Sequence, residues 1–185
     1  MMGVTMKFAM VAVLAMLVLG GAAIAAGPDF IICKSTYALC TTAPCSPIAG
    51  SPGFVSCKCG VLTGYSVGSK ECEEKNTPDG LQLRSRYYPI KSYARCSNSR
   101  PWAWCLDSPC IADKTDPSQA ACKCSVVSDK GAYVIVNDSG AYDKSSCTTG
   151  MYSSASVVDS NQIIEYLKTH KTKVHLPAHI KVYKE

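Results

Sequence analysis

Cys57-Lys58-Cys59, preceded by Phe54-Val55, and Cys122-Lys123-Cys124, followed by Val126-Val127, decide how this chain folds. Each triplet sits in strand-like company, and side chains alternate faces along a strand. Both cysteines of a triplet therefore point to one side, with Lys58 or Lys123 on the other. Two residues along a strand, Cα atoms stand about 6.6 Å apart at a rise of about 3.3 Å per residue. That separation, with parallel Cβ vectors, is wrong for a bridge within the triplet. Each cysteine is expected to bridge to a different partner, so each triplet becomes the central staple of a disulfide scaffold.

Working outward, both triplets end the same pattern, C-x4-C-x11-C-x-C, formed by Cys40, Cys45, Cys57 and Cys59 and again by Cys105, Cys110, Cys122 and Cys124. Cys33 and Cys72 flank the first pattern; Cys96 and Cys147 flank the second. With Cys40 laid on Cys105 and no gaps, Ala38 meets Ala103, Pro44 meets Pro109, Pro52 meets Pro117, Lys58 meets Lys123 and Val61 meets Val126. Tyr37 meets Trp102, an aromatic for an aromatic. The sequence reads as a tandem duplication of a six-cysteine module. The even count of 12 cysteines permits complete pairing. Six bridges with equivalent connectivity in the two modules are expected, and the choice among the 15 pairings of six cysteines stays open.

The expected fold class is small, disulfide-rich and mainly β, with a short C-terminal helix. Module 1 is assigned to residues 28–78 and module 2 to 90–150. Between them, Glu73 to Gly80 is charged and turn-rich and reads as a linker. Leu81 to Tyr93 reads as a strand leading into module 2. Ala132 to Val136 is a β-run, ended by a turn at Asn137-Asp138-Ser139-Gly140. Residues 151–185 form a basic tail. Asp159 with Gln162 resembles a capping box, and Ile163, Ile164 and Leu167 lie at helical spacing. These predict a helix from about Ser160 to His170, then a short strand around Ile180 and Val182.

The first 26 residues read as a signal peptide: Lys7, an apolar run from Phe8 to Leu19, then Ala23-Ile24-Ala25 before a cleavage site. Cleavage leaves no membrane span. Export to a secreted or periplasmic location agrees with the cysteine content, because disulfides persist in oxidising compartments. A net charge of +5 is too small for a nucleic-acid footprint. No cofactor motif is present. Neither a redox C-x-x-C nor a haem or iron–sulfur spacing occurs.

Export sets the cysteines against zinc, since oxidation competes for the same thiols. His170, His175 and His179 straddle Pro177 among lysines and read as a solvated basic tail. Asp138-Ser139-Gly140 reads as a turn rather than a protease nucleophile loop, and Asn137-Asp138-Ser139 is also a glycosylation sequon. No paired carboxylates form an acid/base couple, so catalysis is not expected. The favoured function is an exported, non-enzymatic binding or cell-surface protein that takes a protein or surface polymer. Tyr37, Tyr87, Tyr88, Trp102 and Trp104 are the candidate contact residues, because such aromatics concentrate at interfaces.

An alternative is a double-headed protease inhibitor, with the proline-stiffened loops 41–44 and 106–109 as its two heads; after it comes a metal-binding protein. In general layout alone the chain is similar to inhibitors of the Bowman–Birk type. The cysteine pattern does not match theirs, and no residue role is transferred.

Overall fold

Strand β3, Phe54–Gly68, is the axis on which the chain is assembled. The computed structural model describes residues 29–137, 144–170 and 181–184. Before β3 come β1 (Ile31–Leu39) and β2 (Cys45–Pro47). After it follow β4 (Glu74–Thr77), β5 (Gly80–Arg86), β6 (Ser92–Cys96), β7 (Trp102–Trp104), β8 (Pro109–Ala112), β9 (Gln119–Val127) and β10 (Tyr133–Asn137). A 3-10 turn at Lys144–Cys147 precedes β11 (Ser153–Ser156), helix α1 (Val157–Thr169) and β12 (Lys181–Lys184). The strands hydrogen-bond in the order β12-β6-β10-β11-β7-β9-β8-β5-β1-β3-β2, with β4 on β5 and a further pairing of β3 with β9. The protein is a mainly β, disulfide-rich fold, with one short α-helix among the described residues.

Six disulfides use all twelve cysteines. Within each set the pairing is nested, first with sixth, second with fifth, third with fourth. The first set gives Cys33–Cys72, Cys40–Cys59 and Cys45–Cys57. The second gives Cys96–Cys147, Cys105–Cys124 and Cys110–Cys122. Both cysteines of each triplet are buried on one face while Lys58 and Lys123 are exposed on the other.

The strand registers of the two sets correspond. Tyr37 faces Leu62 across β1 and β3, as Trp102 faces Val127 across β7 and β9. Cys45 faces Cys57, as Cys110 faces Cys122. The two triplet strands then pair with each other, antiparallel, with Cys57 opposite Cys122. A row of four cysteines, Cys45, Cys57, Cys122 and Cys110, thus crosses four neighbouring strands on one face. Cys40, Cys59, Cys105 and Cys124 pack with them, and Val55, Leu83, Ala38, Ala103 and Ala120 complete this core cluster.

The segments between and after the two sets are structural strands. Residues 73–80, expected as a linker, supply β4 and the start of β5, which turn back on each other through Pro78-Asp79 with Thr77 opposite Gly80. Gly80 sits at φ 134°, and a Cβ there would come within 3.1 Å of the Ala112 carbonyl. Strand β5 runs parallel to β1, with Ala38 opposite Ser85, and its other edge pairs with β8 of the second set, Leu83 opposite Cys110. Strand β11 does the converse. It runs parallel to β7, with Ala103 opposite Ser153, and the segment entering it reaches the first set. There Cys45 N–H donates to Met151 O at 2.9 Å, and Ser153 N–H donates to Ala43 O at 2.9 Å. Each set is completed by a strand that also hydrogen-bonds the other.

The expected strand over Leu81 to Tyr93 is two strands, β5 and β6, separated by residues 87–91 with a cis Tyr88–Pro89 peptide. The β-run near 132–136 is β10, Tyr133–Asn137, paired on both sides by β6 and β11. Asn137 of the sequon is buried at its end; the remainder of that turn lies outside the described residues, as does the signal segment.

Helix α1 begins three residues earlier than expected. Its N-cap is Ser156, whose hydroxyl accepts from Asp159 N–H at 3.0 Å. Asp159 is thus the N3 residue and not the cap, its carboxylate accepting from the Ser156 hydroxyl at 2.5 Å. The preceding β11 holds Ser156 extended, which a cap requires. Ile163, Ile164 and Leu167 bury the helix against Val134, Val136, Ala155, Tyr87 and Ile90, so the cysteine-free segment docks by apolar burial. The strand expected near Ile180 and Val182 is β12, Lys181–Lys184, parallel to β6. Among the described residues no helix is long and apolar enough to cross a membrane.

Candidate functional site

The outer face of strands β2, β3, β9 and β8 carries an open groove. Alternation sends the cysteines inward, so Ser46, Ser56, Lys58, Ala121 and Ile111 face out. Small side chains along the middle leave a groove of about 850 Å³ floored by Ser56, Ala121 and Ile111. The loop after β8 walls one side, and Lys114 Nζ fastens it to the β4–β5 turn by donating to Pro78 O at 2.9 Å. The floor is stiff because bridges Cys45–Cys57 and Cys110–Cys122 lie directly beneath it.

Two charged side chains at the groove differ in what they can offer. Asp113 is exposed but engaged: Thr115 Oγ1 and Thr115 N–H each donate to its Oδ1 at 2.7 Å, and Asp116 N–H donates at 3.2 Å. The Thr115 hydroxyl, then the two backbone donors, then the charge of Lys58 hold its carboxyl below the ordinary aspartate value. The Lys58 side chain is exposed, and its Nζ makes no hydrogen bond or ion pair among the described residues. Its counterpart Lys123 lies on the same face, 4.6 Å over the ring of the exposed Phe54.

Three of the five aromatics chosen from the sequence are closed to a partner. Tyr37, Tyr87 and Trp102 are buried, while Tyr88 and Trp104 are half-buried. Trp102 stacks on Tyr133 and meets Trp104 edge-on; Tyr87 also meets Trp104 edge-on. Hydroxyls are satisfied inside: Tyr37 donates to Tyr88 O at 2.9 Å and Tyr87 to Ser154 O at 3.1 Å. Burial raises the Tyr87 phenol above its ordinary value. Trp104 reaches only a small pocket of about 90 Å³ shared with Phe30, Leu106 and Ile163. None of the five lines the groove.

The loops 41–44 and 106–109 also turn inward. Ala43 and Asp107 are buried, and only the prolines at their ends are exposed. Thr42 and Asp107 hold matching positive φ values, 51° and 58°. Thr42 donates to Val136 O at 3.0 Å. Asp107 forms a buried ion pair with Arg86 at 2.7 Å, side chains 3 % and 0 % exposed. Its other oxygen accepts from Ser69 N–H at 2.7 Å and Ser69 Oγ at 2.8 Å.

Arg86 donates further to Lys70 O at 2.6 Å and Ile31 O at 2.8 Å. Burial lowers the guanidinium below its ordinary value, with the Asp107 charge opposing. Gly68 makes room: a Cβ there would fall 2.2 Å from Arg86 Nη1. Sequence reading placed Asp107 in a loop and passed over Arg86; the one available signal was a glycine at 68 ending a β-run.

Sulfurs of Cys40, Cys110 and Cys122 lie within 4.8 Å of one another, as do those of two further triplets. All are committed to disulfides, so they offer no thiolate to a metal. His170 stacks on Tyr166 at 4.1 Å, and its Nδ1 lies 2.8 Å from Tyr166 O; His175 and His179 lie outside the described residues. Compared with family models, curated proteins and solved structures, the chain matches none.

Proposed function

We propose that the chain is an exported, non-enzymatic binding protein whose contact surface is the groove on the outer face of β2, β3, β9 and β8. The observation that carries the reading is Lys58, an exposed cation whose Nζ makes no hydrogen bond or ion pair among the described residues, at the edge of a floor that includes Ile111 and Ala121. A floor held rigid by disulfides loses little freedom on binding, which favours association. The partner is a protein segment or surface polymer with an anionic group for Lys58 and apolar area for Ile111 and Ala121. Export is supported by six disulfides, which fit an oxidising compartment, together with the signal-like residues 1–26.

We also infer that the two cysteine sets descend from a tandem duplication. The nested pairing, the corresponding registers and the reciprocal crossing of β5 and of the segment before β11 all support it. The inhibitor reading needs exposed loop crests, and the burial of Ala43 and Asp107 gives it no support. The test is capture from culture fluid or envelope extract by the immobilised full chain, compared with Lys58→Glu and Ala121→Arg. A partner retained by the wild type and lost by both variants, with folding intact, supports the groove. Equal capture by all three proteins rejects it.

A further inference from the structure

The outer bridges of the two sets hold matching places in the nested pairing but opposite surroundings. Cys96 and Cys147 are wholly buried, packed with Trp102, Tyr133 and Ile135. Cys33 and Cys72 are both half-buried, and theirs is the one bridge of the six with neither partner buried. Arg86 Nη2 also lies 3.5 Å from Cys33 Sγ. We propose that Cys33–Cys72 is a thiol–disulfide exchange site, opened by an external dithiol while the other five bridges stay closed.

The chemistry has a defined direction. A thiolate of the dithiol attacks the Cys72 sulfur, the S–S bond breaks, and its electron pair leaves on Cys33. Cys72 then carries a mixed disulfide. The second thiol of the reductant displaces Cys72 and departs as the oxidised disulfide. Two electrons and two protons pass from the dithiol to the bridge.

Such exchange is faster when the leaving sulfur is the more stable thiolate. A guanidinium beside a thiol favours the thiolate, and Arg86 Nη2 points at the sulfur that leaves. Asp107 offsets part of that charge from the Nη1 side. Arg84 and Glu71 act on Arg86 with opposite signs; along the chain Lys34 follows Cys33, and Glu71 and Glu73 flank Cys72. Of these groups only Arg86 reaches Cys33 within hydrogen-bonding range.

The same guanidinium makes opening reversible. Nη2 holds Ile31 O and Nη1 holds Lys70 O, which belong to the two segments the bridge joins. With the bridge cut, this clamp keeps the two sulfurs facing each other for reoxidation. Strand β1 stays paired with β3 along its whole length.

Graded reduction of the folded full chain with dithiothreitol, followed by rapid alkylation and peptide mass mapping, tests the proposal. Cys33 and Cys72 should label together at least about tenfold faster than any other pair, a rate gap in the range that thiolate stability and access produce. Equal labelling of Cys45 and Cys57, or loss of all six bridges at once, overturns it. A second measurement isolates Arg86. In Cys72→Ser, the pH profile of Cys33 alkylation should fall below the free-cysteine midpoint of about 8.5, whereas Cys72 in Cys33→Ser should stay near it. A Cys33 midpoint at or above the free value overturns the assignment of the leaving sulfur.

Discussion

Replacing Asp107 by Asn should be among the most damaging single-atom changes this protein can suffer. Asparagine matches the shape of aspartate and tolerates the positive φ of 58° at this position, so the backbone is not the source of the loss. The carboxylate serves Arg86 Nη1 at 2.7 Å through one oxygen and both donors of Ser69 through the other. An amide has one oxygen, so its NH₂ must face a donor whichever way it turns. The guanidinium is then left buried without its ion-pair partner, its Nε already without a hydrogen bond.

Removing one member of a buried pair costs about 3–5 kcal/mol, a large part of a typical stability of about 5–15 kcal/mol. Urea unfolding with the disulfides intact, followed by the fluorescence of the core residues Trp102 and Trp104, measures the cost. Adding Arg86→Met removes the stranded charge, and the double variant should recover more than half of the loss. A cost for Asp107→Asn below about 1 kcal/mol, the size of an ordinary neutral hydrogen bond, refutes the reasoning. So does a double variant no more stable than the single one.

Three further outcomes follow from the same structure. Gly68→Ala places a Cβ 2.2 Å from Arg86 Nη1 and 2.3 Å from Asp107 Oδ1; it should cost at least about 2 kcal/mol by overpacking and combine non-additively with Asp107→Asn in the same urea experiment. Ser156→Ala removes the helix cap and should cost about 1 kcal/mol, with a lower thermal midpoint and an unchanged disulfide map. The Asp113 carboxyl should titrate below the ordinary aspartate value by carbon-detected NMR, and Thr115→Ala should move it upward. Because the folded value is depressed, the stability linked to Asp113 is present above its unfolded value and is lost as pH falls through the folded one.

What could be read in advance was local and periodic. The C-x-C triplets announce their geometry because the period of a strand is two, so burial of Cys57 and Cys59 with Lys58 outside needs no knowledge of partners. The helix was legible from Ile163, Ile164 and Leu167, but its start was not. Ser156-x-x-Asp159 and Asp159-x-x-Gln162 are both acceptable boxes, and the extended β11 decides between them.

Which aromatics are buried was not legible for a different reason. Residue type shows that Trp102 buries area, but only the pairing of β7 with β9 and β11 shows that it does so against Tyr133 rather than a partner. Arg86 and Asp107 were hidden because they lie in separate segments, and nothing near either predicts the other.

The placement of that ion pair explains why the two halves are inseparable yet unequal. Strand β5 reaches the second set and the segment before β11 reaches the first, so neither set completes its sheet alone. The groove floor combines Ser56 of β3 with Ala121 of β9 and exists only at that seam. At the loop position of Asp107 the first set has Thr42, which bonds a carbonyl and needs no buried cation. The charged version therefore occurs at one of the two corresponding loops. There, the guanidinium that answers Asp107 also contacts Cys33, a sulfur of the half-buried bridge. One buried cation thus couples the strand-crossing that locks the halves together to the bridge most open to solvent. A reductant reaching Cys72 meets the disulfide whose loss this clamp can best absorb. The opposite outer bridge, Cys96–Cys147, is wholly buried with Trp102, Tyr133 and Ile135, so a reductant reaches it only if that core opens.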